Sequence, residues 1–99
     1  MLAGYNLGVL LGELGRSEDA VGVYDQVVAR YGEASEPEMR EQVAKALINK
    51  GVTLGALGRS EDAVGVYDEV VARYSDKTEP ILQQVVSVAR TARSQHTSE

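Results

Sequence analysis

The sequence contains no cysteine, no tryptophan and no phenylalanine, and it has only two prolines and one histidine. Without cysteine, disulfide bonds and thiolate metal sites are excluded, and the redox compartment is left open. Valine, leucine, alanine and the five tyrosines must therefore fill the core. No apolar run approaches the length of a membrane span and no signal-peptide pattern occurs, so we expect a cytoplasmic protein without a membrane partner.

A basic face is also missing, because the net charge at neutral pH is -5. A nucleic-acid partner requires such a face, so we expect none, and the acidic balance only weakly favours a basic ligand. The 99 residues have 43% apolar and 25% charged content, which is ordinary for one soluble globular domain with a modest core.

The residues do not indicate an enzyme. The single histidine, His96, lies in a polar tail, and the glycines lack the Lys-Ser/Thr that follows a phosphate-cradling loop. The carboxylates fall in the first turns of predicted helices, where capping explains them. Since nothing assembles a nucleophile, a base and an orienting group, we expect no catalysis, no cofactor and no metal.

One stretch occurs twice. Leu11 to Tyr31 recurs as Leu54 to Tyr74, and 19 of these 21 positions match when the sequence is shifted by 43 residues. A fixed period of this size indicates a stacked repeat. We expect one domain over residues 1–99, with repeat 1 at about 1–34, repeat 2 at about 35–77, a trailing helix at 78–95 and a fraying polar tail at 94–99. Near-identical repeats also indicate either a fragment of a longer array or a deliberately regularised, engineered sequence.

The apolar spacing predicts five helices and no strand. They extend from Met1 to Leu14, from Ser17 to Tyr31, from a capping box at 35–38 to about Leu57, from Ser60 to Tyr74, and from Pro80 onward. Ser17, Ser35 and Ser60 are the predicted N-caps, and the predicted stops are Gly15, Gly32 and Gly58.

Some residues within the helices have a predicted structural role. Gly8 and Gly12 recur as Gly51 and Gly55, which indicates close contact with a neighbouring helix. The tyrosines share helical spacing with the valine stripe and are predicted core residues: Tyr24, Tyr31, Tyr67 and Tyr74. Arg16 and Arg59 are expected in local ion pairs of little energetic value.

The paired positions resemble the tetratricopeptide repeat. The pattern places a small residue in helix A, an alanine early in helix B and an aromatic four residues later. Its first copy consists of Asn6, Gly8, Leu11, Leu14, Gly15, Ala20, Tyr24 and Val27. Its second copy consists of Asn49, Gly51, Leu54, Leu57, Gly58, Ala63, Tyr67 and Val70. The period of 43 departs from the usual 34 or so, which lengthens helix A and its approach loop. The usual early aromatic of helix A is Gly4 or Leu47 here.

The resemblance implies an all-α, right-handed α-solenoid of antiparallel helix pairs in the order A-B-A-B-A. It also implies a non-catalytic scaffold that binds a peptide or a partner helix in a concave groove lined by the A helices. The implied groove residues are Tyr5, Asn6, Val9, Gly12, Glu13, Lys45, Ile48, Asn49, Val52, Gly55, Ala56, Val88, Thr91 and Ala92. Asn6 and Asn49 either bond a peptide backbone or bond a neighbouring helix or water; both readings are open.

The last helix supports an alternative function. Its face is more apolar than the equivalent face of the third helix, and the residues concerned are Ile81, Leu82, Val85 and Val88. This face docks either on the preceding helix of its own chain or on a second chain, as a head-to-tail or helix-swapped homo-oligomer that serves as an assembly or regulatory module. The basic cluster Arg90, Arg93 and His96 either faces an acidic partner or complements the helix C-terminus.

Overall fold

A computed structural model describes residues 17–97 of the chain. Within that range the secondary structure is four helices: α1 (Ser17–Tyr31), α2 (Pro37–Ala56), α3 (Ser60–Tyr74) and α4 (Pro80–Thr97). Each helix packs against the next, and α2 also contacts α4. The all-α prediction is confirmed for this part of the chain, whereas the first predicted helix and Gly15 and Arg16 lie outside it.

The turn between α2 and α3 is the shortest connection in the described range. Gly58 has a φ of +79°, the left-handed conformation that glycine adopts without a steric penalty. Its N–H donates to the carbonyl of Gly55 at 3.0 Å, and the N–H of Arg59 donates to that of Leu54 at 2.9 Å. This pair of bonds is a Schellman motif, so Gly58 ends α2 as predicted.

The predicted N-caps are wrong. The N-cap of α2 is Glu36 and that of α3 is Arg59, and neither makes a capping hydrogen bond with its side chain. Pro37 forces the residue before it into extended backbone, so Glu36 takes the cap position and Ser35 falls outside it. Ser60 is already helical, as is Ser17 in the equivalent place. The backbone carbonyl of Arg59 accepts from the Ala63 N–H instead.

The core is centred on α3. Both neighbours, α2 and α4, contribute apolar side chains around it. The buried cluster consists of Val43, Ala44, Leu47, Leu54, Ala63, Val66, Tyr67, Val70, Tyr74, Leu82, Val86 and Ala89. Burial of this apolar surface, at about 25 cal/mol per Å², is the main force that holds the helices together.

The two copies of the repeated stretch have different environments. Over their 15 residues α1 and α3 differ only at Gln26 and its counterpart, yet Val23 is 56% exposed while the equivalent Val66 is 7% exposed. Tyr31 is 37% exposed and Tyr74 only 3%. The core prediction holds for Tyr67 and Tyr74 but is wrong for Tyr31, because α3 packs between two described helices and α1 against one.

One ion pair recurs at the repeat spacing. The Lys50 ammonium in α2 lies 2.6 Å from the Asp25 carboxylate in α1, and Arg93 in α4 pairs with Asp68 in α3. Both partners are shifted by 43 residues between the two pairs. The packing of α2 on α1 is therefore repeated by the packing of α4 on α3, as a stacked repeat requires.

Helix α4 is longer than expected. It continues through the polar residues from Ser94 to Thr97, where fraying was predicted. His96 explains the order of this turn, because its ring stacks on that of Tyr67, with centroids 6.1 Å apart and an interplanar angle of 24°. The end of α4 is thus fixed to the core by an aromatic contact.

Candidate functional site

The predicted groove residues within the described range share one side of α2 and α4. Lys45, Asn49, Val52 and Ala56 follow one another at four, three and four residues, so they form one face of α2, and all four are exposed. The core face of the same helix carries buried residues such as Leu47 and Leu54. Tyr5, Asn6, Val9, Gly12 and Glu13 lie outside the described residues.

The corresponding face of α4 lies beside that of α2. Val88 is exposed, and Thr91 is exposed at its edge. Ile48 of α2 and Ala92 of α4 are partly buried and pack against the core cluster. This surface, formed by residues 45–56 of α2 and 88–92 of α4, is called the groove face below.

Two valines give the groove face its apolar character. Val52 is 44% exposed and Val88 is 46% exposed, and they are among the few large apolar residues that the described part of the chain leaves open to solvent. Valine side chains in this state gain free energy when a partner covers them, roughly 25 cal/mol per Å² of apolar surface removed from water. The groove face can therefore bind an apolar side chain.

Asn49 supplies the polar group on the same face. Its side chain is exposed, and no described residue makes a hydrogen bond with it. Asn49 was predicted to bond either a peptide backbone or a neighbouring helix or water, and it makes no hydrogen bond to a neighbouring helix in the described range. The amide can donate to and accept from the backbone of an extended peptide.

The charge on the groove face is small. The Lys45 ammonium lies 3.9 Å from the Glu41 carboxylate one turn earlier, with both side chains substantially exposed. Such pairs contribute little to stability, and the lysine can turn toward a ligand at a low energetic cost. Arg59 makes the local ion pair that the sequence predicted, with its Nη2 at 2.8 Å from Asp62 Oδ2.

Two glycines of α2 allow the neighbouring helices to approach. A Cβ atom at Gly51 would lie 2.5 Å from Cε1 of Tyr67, and one at Gly55 would lie 3.0 Å from Nε2 of His96. The close contact predicted from the recurrence of these glycines is confirmed. His96 was wrongly placed in a polar tail; it occurs once, so no repeat signal could reveal its contact with Gly55.

The residues proposed for self-association lie mostly inside the chain. Leu82 is 1% exposed and belongs to the core cluster, and Ile81 and Val85 pack against that cluster. Val88 is the exposed member of the four. Leu82, Ile81 and Val85 therefore pack on the core of their own chain, and docking on a second chain stays a prediction.

The buried tyrosines give stability a pH dependence. Burial raises the pKa of the Tyr67 phenol above its ordinary value of 10.0. Burial also raises the pKa of Tyr74, and the nearby Arg73 guanidinium opposes that rise. Because the folded-state pKa exceeds the unfolded one, the buried, protonated phenols stabilise the folded chain fully below about pH 10. This contribution to the free energy of unfolding is lost as the pH rises through the folded-state pKa.

We expect Tyr67→Phe to reduce the fall in unfolding free energy between about pH 8 and pH 11. Phenylalanine removes the ionisable group and keeps the ring, so the change isolates the phenol. Urea unfolding at several pH values measures it. Equal slopes in Tyr67→Phe and the native chain would contradict the account.

The described residues contain no group of three or more histidine, cysteine, aspartate or glutamate side chains that could hold a metal ion. None of their helices is both long enough and apolar enough to cross a membrane.

The comparison with known families agrees with the arrangement of these helices. Residues 2–34 and 45–77 each match the family model of the tetratricopeptide repeat. The chain belongs to the tetratricopeptide repeat family. No curated protein and no solved structure shows a significant match to it.

The two tetratricopeptide repeat matches begin 43 residues apart, and residues 35–44 fall between them. In the structure this interval holds the end of the α1–α2 loop and the first eight residues of α2, Pro37 to Ala44. The extra length of the period is therefore in helix A and its approach, as predicted. Tetratricopeptide repeats typically mediate interactions between proteins, so membership of the family implies protein partners.

Proposed function

We propose that the chain is a protein-interaction scaffold whose groove face binds an extended peptide or a partner helix. The observation that carries the proposal is the combination, on adjacent faces of α2 and α4, of two exposed valines with the Asn49 amide. An apolar side chain of the ligand would cover Val52 or Val88, and Asn49 would fix the ligand backbone by hydrogen bonds. Family membership supports the kind of partner.

Packing against the core holds the two helices of the groove face in place. Ile48 and Ala92 pack on the core beneath it, and Gly55 lies against His96, so α2 and α4 are held in a fixed spacing. A preformed surface loses less conformational entropy on binding, which favours affinity. The ligand expected from this chemistry has apolar side chains and, where it is an extended peptide, backbone groups free to bond Asn49.

The test begins with peptides selected from a random display library against the full chain. We expect Val52→Glu to weaken binding of a selected peptide by at least about tenfold, because a carboxylate replaces apolar contact area. Asn49→Ala should weaken it by about three- to tenfold, the effect of one hydrogen bond. Fluorescence anisotropy measures both affinities.

The matched control is Val23→Glu. This valine is 56% exposed and lies on α1, outside the groove face. It receives the same substitution at a comparable exposure, and binding should be unaffected. Selected peptides that respond to Val23→Glu and ignore Val52→Glu would refute the groove face as the binding surface.

A further inference from the structure

His96 is the partly buried side chain in the last described turn of α4, where Ser94 and Gln95 are exposed. The residues that hold α4 on the core all lie earlier in the helix, and they are Leu82, Val86 and Ala89. Movement of the His96 ring therefore leaves the packing of the body of α4 in place.

The His96 ring lies in a notch between α2 and α3. Its face stacks on the Tyr67 ring, with centroids 6.1 Å apart. Its edge lies beside Gly55, where an added Cβ would be 3.0 Å from Nε2 and 3.1 Å from Cε1. The missing side chain at Gly55 thus makes the room that the ring occupies. The space bounded by Gly55 and Tyr67 is called the ring notch below.

The repeat does not require a ring at this place. With the sequence shifted by 43 residues, Gly55 corresponds to Gly12 and Tyr67 to Tyr24, so the glycine and the tyrosine are kept in both copies. His96 instead corresponds to Thr53, which has no ring. The imidazole is therefore an addition to the repeat pattern and not a part of it.

The chemistry of the ring notch favours a hydrocarbon ring over an imidazole. Nε2 of His96 lies beside Gly55, and His96 makes no hydrogen bond or ion pair with the described residues. The imidazole gives up part of its hydration without a hydrogen bond in return, which is unfavourable. A phenyl ring has no polar group to desolvate, and it also stacks on tyrosine.

We propose that the ring notch binds an aromatic side chain of the groove ligand, which displaces His96 from Tyr67. The proposal rests on the proposed function and specifies part of its ligand. Val52 of the groove face lies three residues before Gly55, so the two are neighbours on the surface of α2. A ligand that covers Val52 is thus beside the ring notch. In the free chain His96 keeps Tyr67 covered, at 2% exposure.

A small molecule tests the ring notch without depending on a groove peptide. Benzyl alcohol is titrated into the isotope-labelled full chain that carries His96→Ala, in which the notch is vacant. We expect amide shifts at Gly55 and Tyr67, and binding to the native chain that is at least about tenfold weaker, because the imidazole must first leave its stack. Cyclohexylmethanol has a similar size but cannot stack, and should bind at least about threefold more weakly than benzyl alcohol.

Two glycine variants of the His96→Ala chain show where the probe binds. Gly55→Ala places a methyl group in the ring notch and should weaken benzyl alcohol by at least about fivefold. Gly65→Ala makes the same change on α3, where nothing lies within 4 Å of the added Cβ, and should leave the affinity unchanged. Equal responses to the two variants would overturn the proposal.

His96→Phe covers the case in which His96→Ala disorders the last turn of α4, which circular dichroism checks. Its phenyl ring fills the notch from within the chain and has no nitrogen to desolvate. We expect a higher denaturation midpoint than that of the native chain, and weaker binding of benzyl alcohol than to the native chain. A lower midpoint would show that the ring notch does not prefer a hydrocarbon ring, and would overturn the proposal.

The role in the groove is tested with peptides selected against the native chain. We expect them to carry an aromatic residue, and to bind about tenfold more tightly to His96→Ala and about tenfold more weakly to His96→Phe. Versions with leucine in place of the aromatic residue should bind all three chains within about twofold. Selected peptides without an aromatic residue, or with no response to His96, would overturn the proposal and leave the groove function intact. If no peptide shifts Asn49 or Val52 while benzyl alcohol still binds His96→Ala, the ring notch is supported and the proposed function is refuted.

Discussion

Leu82→Ala should lower the free energy of unfolding by about 2–5 kcal/mol. The leucine is 1% exposed and belongs to the core cluster around α3, so truncation removes its apolar burial and leaves a cavity. Chemical denaturation monitored by circular dichroism measures the change. The result distinguishes the two fates predicted for the apolar face of α4. If Leu82 packed on a second chain instead, its truncation would change the unfolding free energy of the monomer only slightly.

Val88→Ala is the control for this experiment. It removes apolar carbon atoms from the same helix, one to two turns away, but its side chain is 46% exposed. We expect its effect to remain within about 0.5 kcal/mol, as for other surface substitutions. If Leu82→Ala and Val88→Ala had similar small effects, the packing of α4 on α3 would be refuted.

Gly51→Ala should destabilise the chain by about 1–3 kcal/mol, although alanine is the better helix former. The added Cβ would lie 2.5 Å from Cε1 and 2.8 Å from Cζ of Tyr67, and that ring is 2% exposed and confined by the core. Either α2 and α3 must move apart or the ring must leave its position. Denaturation midpoints measure the loss.

Gly65→Ala makes the same change where nothing lies within 4 Å of the added Cβ. Gly65 is exposed and lies within α3, so only helix propensity acts, and we expect stabilisation by about 0.5–1 kcal/mol. The two alanine substitutions thus have opposite predicted signs. A stabilising Gly51→Ala would show that the close approach of Tyr67 to α2 is absent.

The helices could be predicted from the sequence because their ends depend on local chemistry. Gly58 stops α2 through its own φ of +79°, and Pro80 begins α4, so these limits need no knowledge of the fold. The recurrence of Gly51 predicted its close helix contact, but Gly65 also recurs, as Gly22, and has open space beside it, so recurrence alone does not identify a close contact. The predicted cap at Ser35 failed for a local reason, the restriction that Pro37 places on Glu36.

The remaining features depend on neighbours that a 15-residue pattern does not contain. Val23 and Val66 have the same local sequence, and their exposures of 56% and 7% are set by the helices around them. The contact of His96 with Gly55 joins residues on different helices and has no second copy. The exposure of the face that carries Arg90 could have been predicted from the sequence, because Arg90 aligns with Leu47 at the repeat spacing and arginine replaces leucine there.

The central claim is that α2 and α4 together present a groove for a protein ligand, and amide chemical-shift mapping tests it most directly. The isotope-labelled chain is titrated with a peptide selected against it, and the shifts are placed on the four helices. The account predicts the largest shifts at Lys45, Asn49, Val52, Ala56 and Val88, with little change at Val23 or Gly65. Shifts confined to α1 or to the exposed side of α3 would contradict it.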